Sequence, residues 1–128
     1  MDKIIFQGME FYAYHGVYEE ENKLGQSYIV DLEVYMDLRQ AGQSDRLEDT
    51  LDYAQLYEII QKFMAEETVQ LIETVAEQIA SRILTSFPAI EQVMVRVTKP
   101  SPPIPGHYRG VAVEINRRRP HPSAETSP

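Results

Sequence analysis

The chain of 128 residues contains no cysteine, and this absence excludes disulfide bonds, thiolate metal ligands and thiol nucleophiles. Long hydrophobic runs are lacking as well, so the sequence predicts no membrane-spanning helix. Residues 1–3 lead directly into a strand pattern rather than into the apolar stretch of a signal peptide. The length suits a single domain. We therefore expect a cytoplasmic enzyme or binding protein.

Basic residues are also scarce, with 12 Lys and Arg against 20 Asp and Glu and a formal net charge of −8. This balance argues against nucleic acid or an anionic membrane as a partner. The one basic cluster, residues 117–119, ends a predicted strand. Residues 120–128 are rich in proline and poor in apolar side chains, and we expect this tail to be disordered.

Metal-ligand patterns are absent too. Of the three histidines, only His15 and His107 lie outside the tail, and they do not form a pair at helix or strand spacing of the kind found in zinc hydrolases. Glycine-rich phosphate loops and nucleophile elbows are not present either. The sequence therefore predicts no metal site and no bound nucleotide cofactor.

Hydrophobic periodicity predicts an α+β fold in the order strand, strand, helix, helix, strand, strand, with both helices on one face of an antiparallel four-stranded sheet. The first strand contains Gly8, where we expect a bulge, and Asp52 with Gln55 predicts the start of the first helix. Residues 17–26 have loop composition. Four strands leave exposed edges, and a homo-oligomer would pair them. The predicted strands cover about residues 4–14, 28–38, 93–97 and 111–115, and the helices about 53–63 and 71–87.

The connection between the last two strands, residues 98–108, is far longer than a hairpin requires and contains four prolines. Each proline fixes its own φ and restricts the residue before it, so we expect a stiff loop. Lys99 stands where the strand enters this loop. Its ammonium group is either a solvated strand end or a positioned catalytic amine.

Three further residues are candidates on physical grounds. Glu73 falls within the apolar stripe of its predicted helix, where a carboxylate needs a basic partner, an escape to solvent or a ligand with paired N–H donors. Tyr53 lies at the edge of an apolar helix face, which favours packing in the core. Glu21 belongs to a run of three acids, and such a run is typical of a solvated loop.

Several segments of the sequence are informative when taken together. They are Phe-Tyr-Ala-Tyr-His-Gly-Val (11–17), Glu-Glu-Asn-Lys-Leu-Gly-Gln (20–26), Leu-Asp-Tyr (51–53), Leu-Ile-Glu (71–73) with Ala-Glu (76–77), Thr-Lys-Pro (98–100) and Pro-Pro-Ile-Pro-Gly-His-Tyr (102–108). As a set they strongly resemble bacterial dihydroneopterin aldolases of folate biosynthesis. The resemblance extends from the first strand to about residue 119, in the same order throughout, and only the tail lies outside it.

The resemblance implies the tunnelling fold over residues 1–119, in subunits that form four-membered rings stacked into a homo-octamer with active sites between subunits. It implies retro-aldol cleavage of 7,8-dihydroneopterin without a metal, an organic cofactor or a Schiff base, and some epimerase side activity. Two alternatives stay open: an epimerase acting on the triphosphate of this substrate, and a non-catalytic pterin or purine binder. The implied catalytic residues are Lys99, Tyr53 and Glu21, and the implied substrate-binding residues are Glu73, Ile72 and Leu51.

Overall fold

The computed structural model of the chain describes residues 1–120. The tail that the sequence predicts to be disordered lies outside this range, except for Pro120. Among the helices of the described part, none is long and apolar enough to cross a membrane. The elements in chain order are β1 (Lys3–Ala13), α1 (Glu19–Leu24), β2 (Gln26–Tyr35), α2 (Arg39–Ser44), a 3-10 turn (Leu47–Asp49), α3 (Tyr53–Glu66), α4 (Ile72–Ser86), β3 (Gln92–Lys99) and β4 (Val111–Arg118).

The four strands form one antiparallel sheet in the order β1-β2-β3-β4. The predicted bulge at Gly8 is confirmed, because the register of β1 against β2 shifts between Phe6 and Met9. Gly8 has a positive φ of 67°, and its backbone N–H donates to Asp31 Oδ1 at 2.7 Å. The Asp31 side chain therefore replaces the ladder hydrogen bond that the bulge interrupts.

The two long helices cover one face of this sheet and enclose the core between the layers. The alternation predicted for the second strand is confirmed from Tyr28 to Val34, where every second side chain is fully buried on this face. The strand is shorter than predicted, because it ends at Tyr35 and helix α2 begins at Arg39. The apolar stripe of α4 is buried as predicted, and α3 packs against α4 and β1. The largest fully buried side chains include Tyr28, Phe63, Leu32, Leu56, Ile60, Ile79, Ile83 and Ile90.

One local prediction is wrong: residues 17–26 are not all loop, because Glu19–Leu24 form the short helix α1. The sequence does not predict this helix, because its residues are mostly polar and it is too short to show an apolar stripe. Acidic side chains in its first turn suit the positive end of the helix dipole. Gly25 follows its last residue with a φ of 71°, a conformation that favours glycine. The predicted N-cap of α3 is confirmed, because Asp52 Oδ1 accepts from the Ala54 N–H at 2.9 Å.

The opposite face of the sheet is not covered by any helix among residues 1–120. It carries ion pairs between neighbouring strands, Lys3 with Glu33 at 3.1 Å and Arg96 with Glu114 at 2.6 Å. Such partly exposed pairs contribute little to stability. The outer edges of β1 and β4 also have no neighbouring strand within the described chain. As predicted, the backbone groups along these edges are therefore available for pairing.

Candidate active site

The Lys99 ammonium and the Glu21 carboxylate form a buried ion pair, with Nζ 2.6 Å from Oε2. Only 13% of the Lys99 side chain and 7% of the Glu21 side chain are exposed. The expectation of a solvated Glu21 is therefore wrong, although Glu19 and Glu20 beside it are exposed. Because α1 turns one acid of the three inward, the run is not a uniform solvated surface.

The Glu21 carboxylate accepts three hydrogen bonds. Oε2 accepts from Lys99 Nζ and from Gln26 Nε2 at 2.8 Å, and Oε1 accepts from the Tyr18 backbone N–H at 3.2 Å. Burial raises the pKa of Glu21, but the hydrogen bonds from Lys99, Tyr18 and Gln26 outweigh it and hold the pKa below its ordinary value. The site is therefore built around an ionised carboxylate with a cation in direct contact.

Two glycines permit this close approach. A Cβ atom on Gly16 would lie 2.5 Å from Glu21 Cβ, so a larger residue there would push the carboxylate out of place. Gly110 has a φ of 138°, and a Cβ there would lie 2.6 Å from the Lys99 carbonyl oxygen. Asn22 also holds the backbone before α1, because its Nδ2 donates to the carbonyl oxygens of Tyr14 at 2.9 Å and Gly16 at 3.0 Å. The backbone around both charged groups is thus closely constrained.

Tyr108 forms hydrogen bonds within the proline-rich loop that follows Lys99. The Tyr108 hydroxyl donates to the Pro102 carbonyl oxygen at 3.1 Å and also contacts the Ile104 carbonyl oxygen. This internal bonding, together with the fixed proline φ angles, holds the loop as one wall of a cavity. The loop therefore serves the site rather than merely reversing the chain.

The ion pair lines a cavity of about 270 Å³. Glu73 lines this cavity and is exposed. The prediction that Glu73 lies inside the apolar stripe of α4 is therefore wrong. The preceding residue, Ile72, is buried. Glu73 lies in the first turn of α4 and lines the same cavity as Lys99. The lining residues are Val17, Tyr18, Glu21, Gln70, Leu71, Ile72, Glu73, Lys99, Pro102, Pro103, Ile104 and Val111.

Tyr53 and Leu51 lie elsewhere in the same chain. Tyr53 is 63% exposed, and its ring is nearly perpendicular to that of Phe6 at a centroid distance of 6.4 Å, so the favoured interpretation of core packing is wrong. Leu51 is buried beside a different cavity of about 420 Å³, which shares no lining residue with the first. In the sheet register Phe6 stands level with Val95. Lys99 is thus two strands and four residues away from Phe6, which corresponds to roughly 10 Å across the sheet and roughly 13 Å along it.

The structure also brings in residues that sequence reasoning missed. Gln26 holds the Glu21 carboxylate, and His15 is buried close enough to Lys99 for that positive charge to lower the pKa of the imidazole. Both lie in the segments that carry the family resemblance, but neither shows a periodic signal, because their contacts join parts of the chain that are distant in sequence. Within residues 1–120, no group of three or more His, Asp or Glu side chains could hold a metal ion.

Comparison with known proteins identifies the family. A family model described as dihydroneopterin aldolase (FolB) matches residues 4–116. The dihydroneopterin aldolase of Bacillus subtilis (strain 168) is 53% identical over 119 residues, which cover 93% of this chain and 99% of that protein. The chain belongs to the dihydroneopterin aldolase family.

Further members agree with this assignment. The dihydroneopterin aldolase of Streptococcus pyogenes serotype M1 is 42% identical over 119 residues, 93% of this chain and 100% of that protein. The crystal structure of Escherichia coli dihydroneopterin aldolase in complex with neopterin matches with a TM-score of 0.84 at 29% identity, over 91% of this chain and 99% of that chain. The predicted tunnelling fold of the dihydroneopterin aldolases is thereby confirmed.

The ion pair generates a first prediction. In Lys99→Ala the pKa of Glu21 should rise, because burial then favours the neutral acid and the principal hydrogen-bond donor is gone. NMR titration of the Glu21 carboxyl carbon measures this, with Lys62→Ala, a change at an exposed helix position, as the control.

The lowered pKa of Glu21 also makes the stability of the protein depend on pH. The lowered pKa of Glu21 contributes stability that is present above its unfolded value of about 4.3 and is lost as the pH falls through the folded value. Lys99→Ala should lack this contribution, whereas Lys62→Ala should keep it. An unchanged Glu21 pKa in Lys99→Ala would contradict the proposed coupling.

Proposed function

We propose that the chain cleaves 7,8-dihydroneopterin by a retro-aldol reaction into 6-hydroxymethyl-7,8-dihydropterin and glycolaldehyde. The observation that carries the proposal is the buried Lys99–Glu21 pair, which lines one cavity together with Glu73. Family membership supplies the reaction class, and the ion pair supplies a proton-transfer group at a defined place. The dihydroneopterin aldolase of E. coli has been crystallised with neopterin, which supports a pterin as the ligand of this chain.

Glu73 is the proposed anchor for the pterin ring. A pterin presents an exocyclic amine and a ring N–H side by side, and one carboxylate can accept from both, as it does from an arginine fork. Glu73 stands at the cavity with its carboxylate exposed. The buried Ile72 precedes it at the first turn of α4, so that the backbone of this turn lies beside the bound ring.

Proton transfer is the proposed task of Lys99. Cleavage requires removal of a proton from the side-chain hydroxyl, breakage of the adjacent C–C bond with release of the aldehyde, and protonation of the carbon that stays on the ring. The electron pair of the broken bond passes into the C=N group of the dihydropterin, and the incoming proton restores it. Lys99 lies 2.6 Å from Glu21, so both groups are within reach of the same transferred proton.

The ring itself makes a lysine Schiff base redundant, because its C=N group already accepts the electron pair. The same stabilised intermediate allows the aldehyde to add back to either face. Some epimerisation of the substrate is therefore part of the proposal.

A second copy of the chain completes the proposed site. The cavity of about 270 Å³ in a single chain lies below the ~300–1,000 Å³ of typical ligand pockets. Tyr53 and Leu51, the remaining candidates, do not line this cavity. Exposed apolar side chains around the cavity, among them Val17, Tyr18 and Ile104, suit an interface between copies.

We propose that these copies form four-membered rings stacked into a homo-octamer, with the free edges of β1 and β4 paired between neighbours. Tyr53 then contacts the substrate ring from the neighbouring copy. Residues 1–119 are the proposed catalytic domain. The cytoplasmic location and the disorder of residues 120–128 stay predictions of the sequence.

The charge of the cavity argues against the triphosphate epimerase. Lys99 is the only basic side chain among the described residues that line it, and it is already paired with Glu21, while Glu73 adds a second negative charge. A triphosphate would meet carboxylates rather than the cationic clamp that phosphate binding requires. No observation specifically favours a non-catalytic binder over the enzyme.

Incubation with 7,8-dihydroneopterin tests the proposal. The purified protein should release glycolaldehyde and 6-hydroxymethyl-7,8-dihydropterin, detected by chromatography, and EDTA should leave the rate unchanged because no step uses a metal. A folded protein that releases no glycolaldehyde, or one that loses activity to EDTA and regains it with zinc, would overturn the proposal.

Replacement of Glu73 tests the pterin anchor. Glu73→Ala should weaken binding of neopterin by about 2–5 kcal/mol, because a charge-assisted paired contact is lost. Glu77→Ala is the matched control one turn along α4, since Glu77 forms an exposed ion pair with Arg117 and does not line the cavity. Calorimetry measures both affinities. Equal neopterin affinity of Glu73→Ala and the unmodified protein would show that Glu73 does not bind the ring.

Lys99 variants test the mechanism. Acid/base participation is worth ~10²–10⁴ in rate, so Lys99→Ala should reduce kcat by about that factor with a smaller effect on neopterin affinity. Lys99→Arg should not restore it, because a guanidinium does not release its proton near neutral pH. Borohydride added during turnover should leave no adduct on Lys99. A stable adduct found by mass spectrometry would show a covalent mechanism instead.

A further inference from the structure

His15 is a buried imidazole that the proposed mechanism does not use. It follows β1, is 1% exposed, and stacks on the Phe63 ring at a centroid distance of 5.7 Å. The hydroxyl of Tyr28 donates to the His15 carbonyl oxygen at 2.6 Å. Burial and the nearby Glu21 raise the pKa of Tyr28 to about 12, so this hydroxyl keeps its proton. The His15 backbone and ring are both fixed.

The side chain of His15 reaches the loop between α3 and α4. Its Nδ1 accepts from the Val69 backbone N–H at 3.0 Å, across a sequence separation of 54 residues. The Gly16 N–H donates to the Val69 carbonyl oxygen at 2.9 Å. The N–H and the carbonyl group of Val69 are thus both hydrogen-bonded to residues 15–16, which lead into α1, the helix that carries Glu21. The loop continues from Val69 into Gln70–Glu73, and all four of these residues line the cavity.

The hydrogen bond to Nδ1 defines which ring nitrogen of the neutral His15 carries the proton. Because Nδ1 accepts a hydrogen bond, the neutral ring carries its proton on Nε2. Burial and the positive charge of Lys99 both lower the pKa of His15, which keeps the ring neutral near pH 7. Nε2 is buried and has no hydrogen-bond partner among the described residues. His15 is therefore suited to act as a fixed acceptor and does not face the cavity as a proton carrier.

We propose that His15 is a positioning residue for the aldolase reaction, acting through Val69. Its Nδ1 holds the loop that leads to Glu73 at a fixed distance from the Lys99–Glu21 pair. The hydrogen bond from Val69 to Nδ1, beside the backbone bond from Gly16 to Val69, then sets the pterin anchor relative to the proton-transfer group. This inference rests on the proposed function and adds to it the group that joins the two parts of the site within one chain.

Two substitutions separate the two properties of the ring. His15→Phe keeps a flat ring against Phe63 but removes the acceptor, whereas His15→Asn loses the ring and keeps an oxygen close to the position of Nδ1. A displacement of about 1 Å can cost ~10²-fold in rate. We therefore expect His15→Phe to lower kcat/KM for 7,8-dihydroneopterin on the order of 10- to 100-fold, mainly through KM because Glu73 binds the ring. His15→Asn should stay within about threefold of the unmodified protein.

Hydrogen exchange of the Val69 amide gives a second readout that needs no substrate. The Val69 N–H should be protected in the unmodified protein and in His15→Asn, and should exchange faster in His15→Phe. If His15→Phe does not fold, His15→Leu takes its place in both measurements.

The outcomes separate this inference from the proposed function. An unmodified protein without aldolase activity refutes the proposed function, whatever the exchange data show. Activity in the unmodified protein with an unchanged KM in the acceptor-free variant overturns the role of His15, as does a loss of kcat/KM of equal size in His15→Asn. Failure of both acceptor-free variants to fold also overturns it, because His15 would then be a core residue.

Discussion

The burial of the Glu21 carboxylate against the Lys99 ammonium is the constraint on which the rest of the site depends. A buried charge without a partner costs several kcal/mol, and even a paired one seldom adds net stability over apolar packing. The chain nevertheless devotes α1, the Gln26 amide and the close approaches at Gly16 and Gly110 to holding this pair. Such an arrangement supports the proposed role of the pair in proton transfer.

The same geometry supports the proposal that a second copy of the chain completes the site. Lys99, Glu21 and Glu73 share one cavity, whereas Tyr53 packs on Phe6 of the edge strand β1. The edges of β1 and β4 have no partner strand within the described residues. The unpaired edges, the exposed apolar side chains and the divided set of candidates are all accounted for if copies of the chain assemble side by side.

Hydrophobic periodicity was sufficient to predict the four strands and both long helices, because the periods of strands and helices are local properties. The bulge followed from the presence of Gly8 within a strand pattern. The position of a single carboxylate is not local. Glu21 is buried since Lys99, 78 residues later, reaches it, and Glu73 is exposed since the first turn of α4 opens onto the cavity. Helix α1 was missed for a related reason: its six residues are held by capping and by Glu21, not by an apolar stripe. Only the family resemblance pointed to these residues together.

Restoration of activity in mixed assemblies tests the central claim most directly. Lys99→Ala and Tyr53→Ala proteins, unfolded and refolded together in equal amounts, should recover about a quarter of the unmodified activity if each site combines two neighbouring copies. A mixture of Lys99→Ala with Glu73→Ala should recover none, because both residues come from the same chain. No recovery in the first mixture, or equal recovery in both, would contradict a site shared between copies.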